Sequence, residues 1–189
     1  MDGRSCTTTP RRPSNPSLDS DVPSAITTHM LRIRPAAVED VPLLHEMIVE
    51  FAHFERLADC LCITNEILIR DGFGPEPRFR VLLAEWEGKP AGYAIYFPFY
   101  SSFQGPVLFL EDVYVREEFR GKGIGIGLMA EVALIAQQQG VRVMRWEVLN
   151  WNQAAIDFYK KLGATFMDEC KEVWLEDEAL RQLAKRTKR

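Results

Sequence analysis

The stretch Arg120–Ile126 (RGKGIGI) has the residue types and spacing of an anion-binding loop. Its three alternating glycines let the backbone approach a ligand closely, and the apolar spacing from Ile124 onward predicts that a helix begins there. The N–H groups at a helix start point towards a ligand, and the helix dipole favours negative charge. Arg120 and Lys122 would add cationic contacts. The glycines could instead serve only a tight turn with positive φ, and the residues alone leave both interpretations open.

Spacing excludes two common nucleotide-binding motifs. A Walker loop requires G-x-x-x-x-G-K-[ST], which the sequence does not contain. A Rossmann fingerprint requires G-x-G-x-x-G, but the residue three positions after Gly125 is Leu128. The glycine-rich loop is therefore neither of these motifs. It follows an apolar strand at Val107–Val115 that only Glu111 and Asp112 interrupt.

Predicted strands and helices, which must position this loop, follow one another along the chain without a regular alternation. Apolar periodicity, caps and turn residues predict an α+β fold with a mostly antiparallel sheet. The predicted strands are Leu31–Arg34, Phe79–Trp86, Ala91–Phe97, Val107–Val115, Arg142–Leu149 and Val173–Leu175, with a hairpin turn at Glu87–Pro90. The predicted helices are Glu39–Glu55, one capped by Thr64, one from Ile124 to a stop at Gly140, Asn152–Leu162, and one from about Asp177.

Composition indicates one folded domain over residues 30–189, preceded by a flexible tail over residues 1–29. The chain has 47% hydrophobic residues and a formal net charge of -4, so nothing favours nucleic acid or an anionic membrane as a partner. The cysteine and histidine spacings suggest neither a disulfide framework nor a metal site, and no run reaches transmembrane length. A cytoplasmic location is the expectation.

Two ordered motifs resemble those of the GNAT acyltransferase superfamily. The R-x-x-G-x-G pattern at Arg120–Gly125 resembles its acetyl-CoA pyrophosphate loop, and Asn150–Ala164 is similar to its N-x-x-x-x-x-F-Y-x-x-x-G-[AF] helix. The resemblance covers roughly residues 31–178. It implies a GNAT fold, with helices on both faces of the sheet, in which Val107–Val115 and Arg142–Leu149 splay apart and acetyl-CoA lies in the gap.

The resemblance implies acetyl-CoA as a co-substrate and no metal. Backbone N–H groups of the splayed strand, the glycine-rich loop and the start of the second-motif helix would contact it; Asn152 could also be a simple N-cap. The implied cofactor contacts are Val113, Tyr114, Val115, Arg120, Gly121, Lys122, Gly123, Ile124, Gly125, Ile126, Asn152, Gln153, Ala154, Ala155 and Tyr159.

Acetyl transfer to an amine needs a base, an oxyanion donor and an acid for the leaving thiolate. A carboxylate in an apolar strand is costly unless it is paired or works in a wet cavity, so Glu111 is the candidate base, acting through a water. Strand alternation predicts that Asp112 points to the opposite face. The resemblance implies Tyr159 as the acid, since GNAT enzymes commonly place a tyrosine facing the CoA sulfur at this position of the second motif. The alternatives are a structural ion pair for either carboxylate and simple packing for Tyr159.

Within the superfamily the sequence most resembles the spermidine/spermine (diamine) and thialysine N-acetyltransferase group. Segments that carry the resemblance are Phe54–Glu55, Asp71–Gly74, Leu110–Asp112, Trp151–Asn152 and Phe158–Lys160. It implies substrate contacts from Phe54, Glu55, Glu111, Asp112, Arg145, Trp146, Glu147 and Glu172.

Two departures from this group bear on the acceptor. Phe54 replaces the group's tyrosine, and Leu57–Cys62 is more apolar than the acidic segment found there. Both favour a shorter diamine or a lysine-like amino acid over a long polyamine. The group usually forms homodimers. The open alternatives are acetylation of a protein or peptide and a CoA-binding module without catalysis.

Overall fold

The computed structural model describes the backbone of residues 26–27 and the whole of residues 30–187. The chain divides after Glu147 into two compact units, Met1–Glu147 and Val148–Arg189. Most of the expected tail lies outside the described residues. Ile26–Thr27 is the exception, because it forms a strand that pairs with the next one, so regular structure begins earlier than the expected start near Met30.

The first unit is built, within the described residues, on a six-stranded sheet in which the strands lie in chain order. All neighbouring strands are antiparallel except the last pair, which confirms the predicted mostly antiparallel α+β arrangement. The elements are β1 Ile26–Thr27, β2 Leu31–Pro35, α1 Val41–Glu55, α2 Asn65–Gly72, β3 Arg80–Trp86, β4 Lys89–Ser101, β5 Gly105–Val115, α3 Ile124–Gln138 and β6 Met144–Arg145, with short 3-10 turns before α1, after it and after β5.

Local chemistry accounts for the helix boundaries of this unit. The Thr64 hydroxyl accepts a hydrogen bond from the Ile67 N–H and caps α2, as the sequence predicted. The predicted apolar face of α3 is almost fully buried, and Gly140 follows its end at a φ of 69°. A second core cluster, which includes Leu44, Tyr93 and Tyr114, packs on the α1 side of the sheet.

The hairpin between β3 and β4 is tighter than predicted. Glu87 and Gly88 both have positive φ, and Trp86 already lies opposite Lys89. This is a two-residue turn, whose backbone matches the twist of the strands, so β4 begins at Lys89 and runs through Pro90.

The strand predicted at Arg142–Leu149 is much shorter than expected, because β6 comprises only Met144 and Arg145. These residues pair with Leu108 and Phe109 of β5, and the Leu108 N–H donates to the Val143 carbonyl at 3.0 Å. Beyond Phe109 the two strands have separated. This is the divergence that the resemblance implied. It arises because only Met144 and Arg145 of the predicted strand pair with β5.

The second unit contains α4 Gln153–Lys161 and α5 Asp177–Ala184 within the described residues. The Asn152 side chain accepts a hydrogen bond from the Ala155 N–H at 3.2 Å, and Gly163 follows α4 with a φ of 84°. The prediction of a strand at Val173–Leu175 is wrong, since these residues form no regular element and their side chains are exposed. Neither unit has, in its described part, a helix long and apolar enough to cross a membrane.

Candidate active site

A β-bulge in β5 shapes the centre of the first unit. Tyr96 of β4 lies opposite Leu110 and Ile95 lies opposite Asp112, so Glu111 and Asp112 occupy the space of one residue on β4. The bulge interrupts the alternation that predicted opposite faces for these two carboxylates. The negative charge of Glu111 lies close enough to Asp112 to raise the pKa of the Asp112 carboxyl.

The bulge also changes which backbone groups of β5 point away from β4, towards the edge of β5 that β6 no longer covers after Phe109. The Arg116 N–H donates to the Ala91 carbonyl of the β4 side at 2.9 Å, so alternation directs the N–H groups of Val113 and Val115 to the opposite edge. Tyr114 is turned away from that edge, because its carbonyl abuts Gly92 of β4. Its side chain packs towards α1. Of the three predicted cofactor contacts in β5, two therefore face the gap.

Asp112 lies on the α1 side of the sheet, and the carboxylates of Glu55 and Glu111 lie close enough for their charges to act on it. The buried Tyr93 hydroxyl donates to Asp112 Oδ2 at 3.3 Å. Burial, reinforced by the charges of Glu111 and Glu55, raises the pKa of Asp112 to about 7, although the Tyr93 hydrogen bond opposes the shift. Glu55 is the last residue of α1, and burial raises its pKa as well. The cluster therefore concentrates negative charge in a partly dehydrated place, where a cationic ligand would be favoured.

The glycine-rich loop leads into α3 with the geometry of an anion site. Gly121 and Gly123 have φ values of 76° and 80°, which non-glycine residues rarely adopt, and no side chain caps the N-terminus of α3. The first N–H groups of the helix are thus left for a ligand. Gly125 and Ile126 follow within the first turn, where Ile126 is exposed and Ile124 is buried.

The two cations of the loop contact aromatic rings. The Arg120 guanidinium carbon lies 4.7 Å from the centroid of the Phe54 ring, and its Nε donates to the Val115 carbonyl at 3.1 Å. The Lys122 ammonium lies 5.3 Å from the Trp86 ring. Arg120 therefore joins the predicted cofactor loop to a predicted substrate residue on α1.

An ion-pair network that the sequence did not predict ties α1 to the end of β5. Arg116 Nε and Nη2 donate to Glu50 at 3.0 and 2.8 Å, and Arg116 also pairs with Glu46. The Tyr114 hydroxyl donates to Glu50 at 3.2 Å. The i, i+4 spacing of the two glutamates on α1 was a visible signal, whereas nothing in the sequence pointed to Tyr93 as the partner of Asp112.

Of the other predicted substrate residues, three follow one another at and after β6. Arg145 and Glu147 are exposed, with their charged atoms 3.9 Å apart, and Trp146 between them is partly buried. Glu172, in the second unit, is exposed.

The remaining predicted cofactor residues of the second unit gather on α4. Gln153 Nε2 donates to Asp157 at 2.7 Å, and Ala154 and Ala155 complete the first turn behind the Asn152 cap. Tyr159 is buried, with its ring centroid 5.4 Å from that of Phe158. Within the described residues no group of three or more histidine, cysteine or acidic side chains could hold a metal ion.

In this fold the central strand β5 separates from its parallel neighbour β6, and a glycine-rich loop leads from β5 into α3. This is the arrangement of the acyl-CoA N-acyltransferases, whose motifs the sequence resembles. Residues 45–164 match the family described as "Acetyltransferase (GNAT) family". The chain belongs to this family and is an acetyltransferase.

Known proteins resemble the chain over most of its length. Thialysine N-epsilon-acetyltransferase of Sus scrofa is 41% identical over 164 residues, which cover 80% of this chain and 96% of that protein. Spermidine/spermine N(1)-acetyltransferase-like protein 1 of Homo sapiens is 38% identical over 70% of this chain and 20% of its own length. An aminoglycoside N-acetyltransferase solved in complex with CoA shares the fold, with a TM-score of 0.63 at 16% identity over 84% of this chain and 99% of that one.

Proposed function

We propose that this enzyme transfers the acetyl group of acetyl-CoA to a primary amine of a small diamine, a polyamine or a lysine-like amino acid. The observation that carries the proposal is the cluster of Glu55, Glu111 and Asp112 beside the gap between β5 and β6. Several carboxylates around one slot attract a ligand with more than one positive charge. The names of the relatives, which include thialysine and spermidine/spermine acetyltransferases, support the same acceptor class.

The residues of the first unit fit the co-substrate that this reaction needs. The N–H groups of Val113 and Val115 face the gap, where they would bind the amide groups of the pantetheine arm. The loop from Arg120 and the uncapped start of α3 would bind the pyrophosphate. Acetyl-CoA supplies the activated acetyl group, and Asn152, Gln153, Ala154 and Ala155 on α4 would provide further contacts.

In the proposed mechanism Glu111 accepts a proton from the ammonium through a water, because a lysine-like amine with a pKa of about 10.4 must be neutral before it attacks. The Val113 N–H donates to the oxyanion that forms at the acetyl carbonyl. Tyr159 donates a proton to the departing thiolate. Glu55, Asp112 and Glu172 hold the second charged end of the acceptor, so that the reacting amine is oriented rather than merely attracted.

We also propose that the enzyme works as a homodimer in the cytoplasm. The exposed run Val173–Leu175, whose middle residue is Trp174, is an apolar surface of the kind that a partner subunit covers. Three cysteines with exposed free thiols, Cys60, Cys62 and Cys170, suit a reducing compartment.

The acceptor class is tested by measuring CoA release from acetyl-CoA with a panel of spermine, spermidine, putrescine, thialysine, lysine and a lysine-containing peptide. We expect the highest kcat/KM with one of the small amines. Turnover of the peptide alone would replace this proposal with protein acetylation. Binding of acetyl-CoA without turnover of any amine would indicate a CoA-binding module.

A further inference from the structure

Cross-strand pairing places a row of aromatic residues on the same sheet face as Asp112. Ile95, Phe97 and Phe99 alternate along β4 and therefore share one face, which Ile95 identifies as the α1 side because it belongs to the core cluster there. Phe109 lies opposite Phe97, and Asp112 lies opposite Ile95. Residues opposite each other in a sheet share a face, so Phe109 and Asp112 both lie on the α1 side despite the bulge between them.

Arg145 extends this row onto β6. It lies opposite Phe109, and its guanidinium carbon is 5.9 Å from the ring centroids of both Phe99 and Phe109. Asp112 comes three residues after Phe109, but the bulge shortens that stretch to the length of two residues of β4. With one step across the sheet from β5 to β6, the backbones of Arg145 and Asp112 are about 8 Å apart. A guanidinium therefore stands on the same face as Asp112, within the reach of one small molecule.

The guanidinium of Arg145 is only weakly engaged by the protein. In the described part of the chain Glu147 is the one carboxylate within 4.0 Å of it, and the atoms of that pair are 3.9 Å apart with both side chains about half exposed. An exposed pair of this kind contributes little free energy. The planar fork remains available to bind a carboxylate in two hydrogen bonds, while its flat face rests near the aromatic rings.

We propose that Arg145 binds the α-carboxylate of the acceptor and so selects a lysine-like amino acid over a diamine of the same length. This inference rests on the proposed function and deepens it. The carboxylate cluster attracts the ammonium groups of either acceptor, but only an amino acid also carries a negative group that a guanidinium can bind. A diamine offers that position a methylene or a second cation, which Arg145 repels.

The test compares two acceptor pairs that differ only in the α-carboxylate: lysine with cadaverine, and ornithine with putrescine. Steady-state kinetics are measured for wild type, Arg145→Gln and Arg145→Lys, with Arg142→Gln as the matched loss of an exposed arginine nearby. We expect Arg145→Gln to lower kcat/KM for lysine by about 10-fold to 100-fold, the range of a charge-assisted hydrogen-bonded contact. Cadaverine should be used equally well or better, because a repelling charge is gone.

The possible outcomes distinguish the role of Arg145 from the proposed acceptor class on which it rests. Equal losses for lysine and cadaverine in Arg145→Gln, or a wild type that strongly prefers cadaverine, would overturn the role of Arg145 and leave amine acetylation standing. Recovery of part of the lysine activity in Arg145→Lys, with Arg142→Gln unchanged, would support it. A wild type that acetylates none of the four amines would overturn the proposed acceptor class and this inference with it.

Discussion

Asp112 illustrates how one partly buried residue can link stability to substrate binding. Its carboxyl lies against the Tyr93 hydroxyl and near two further carboxylates, so that burial and like charge together raise its pKa to about 7. A bound cationic acceptor would favour the ionised carboxylate by supplying the opposite charge, and so would lower this pKa. Ionisation of the Asp112 carboxyl is therefore costly without a bound cation, and this cost can be measured without any knowledge of the acceptor.

The stability of the unliganded protein should depend on pH through Asp112. Because the pKa is higher in the folded state than in the unfolded chain, the folded state binds more protons between about pH 4 and pH 7, and the free energy of unfolding falls as pH rises through that window. Asp112→Asn should remove up to about 3 kcal/mol of the fall between about pH 5 and pH 8, as measured by urea denaturation.

The control for this measurement is Glu76→Gln, an exposed carboxylate outside the cluster. It should track wild type at both pH values. If Asp112→Asn also tracks wild type, the carboxyl is ionised in the folded protein without cost, and the account of the cluster as a dehydrated cation site is wrong.

At the scale of elements, the correct helix predictions rested on apolar periodicity and on capping residues. The α3 helix was predictable because Ile124, Leu128 and Val132 recur at helical spacing and are all buried. The predicted strand at Arg142–Leu149 failed for the opposite reason. Its β-branched and apolar residues favour a strand locally, but a strand also needs a partner, and β5 pairs with only two of its residues.

The bulge at Glu111 shows why the site was only partly predictable. The sequence revealed two carboxylates in an apolar strand, which was enough to mark the place as unusual. Strict alternation predicts opposite faces for Glu111 and Asp112. The extra residue in β5 interrupts that alternation and leaves no trace in the pattern of side-chain types. The partner of Asp112, Tyr93, comes from another strand through a contact that no local rule contains.

Asn152 on α4 has two predicted roles, helix cap and cofactor contact, which two substitutions can separate. Asn152→Ala should cost about 1 kcal/mol of unfolding free energy, because it removes the acceptor for the Ala155 N–H. Asn152→Ser should keep the cap and cost only a few tenths of a kcal/mol. If the amide also contacts acetyl-CoA, Asn152→Ser should still weaken its binding several-fold by calorimetry. Unchanged affinity would leave the cap as the role of Asn152.

At the scale of the whole molecule, the proposed chemistry draws on both compact units. The base, the oxyanion donor and most of the acceptor contacts belong to residues up to 147, whereas Tyr159 and Glu172 belong to residues 148–189. A single domain over residues 30–189 and a homodimer both stay predictions. The proposed base Glu111 and the proposed acid Tyr159 belong to different units, so the mechanism claims that one residue of each acts in the same acetyl transfer.

The most direct test of that claim is the kcat for CoA release with the preferred amine in Glu111→Gln and Tyr159→Phe, with Tyr100→Phe, an exposed tyrosine of β4, as control. Loss of a general base or acid should lower kcat and kcat/KM together by about 100-fold or more, and the control should match wild type. A kcat within about 2-fold of wild type in either variant, with acetyl-CoA still bound, would contradict the mechanism.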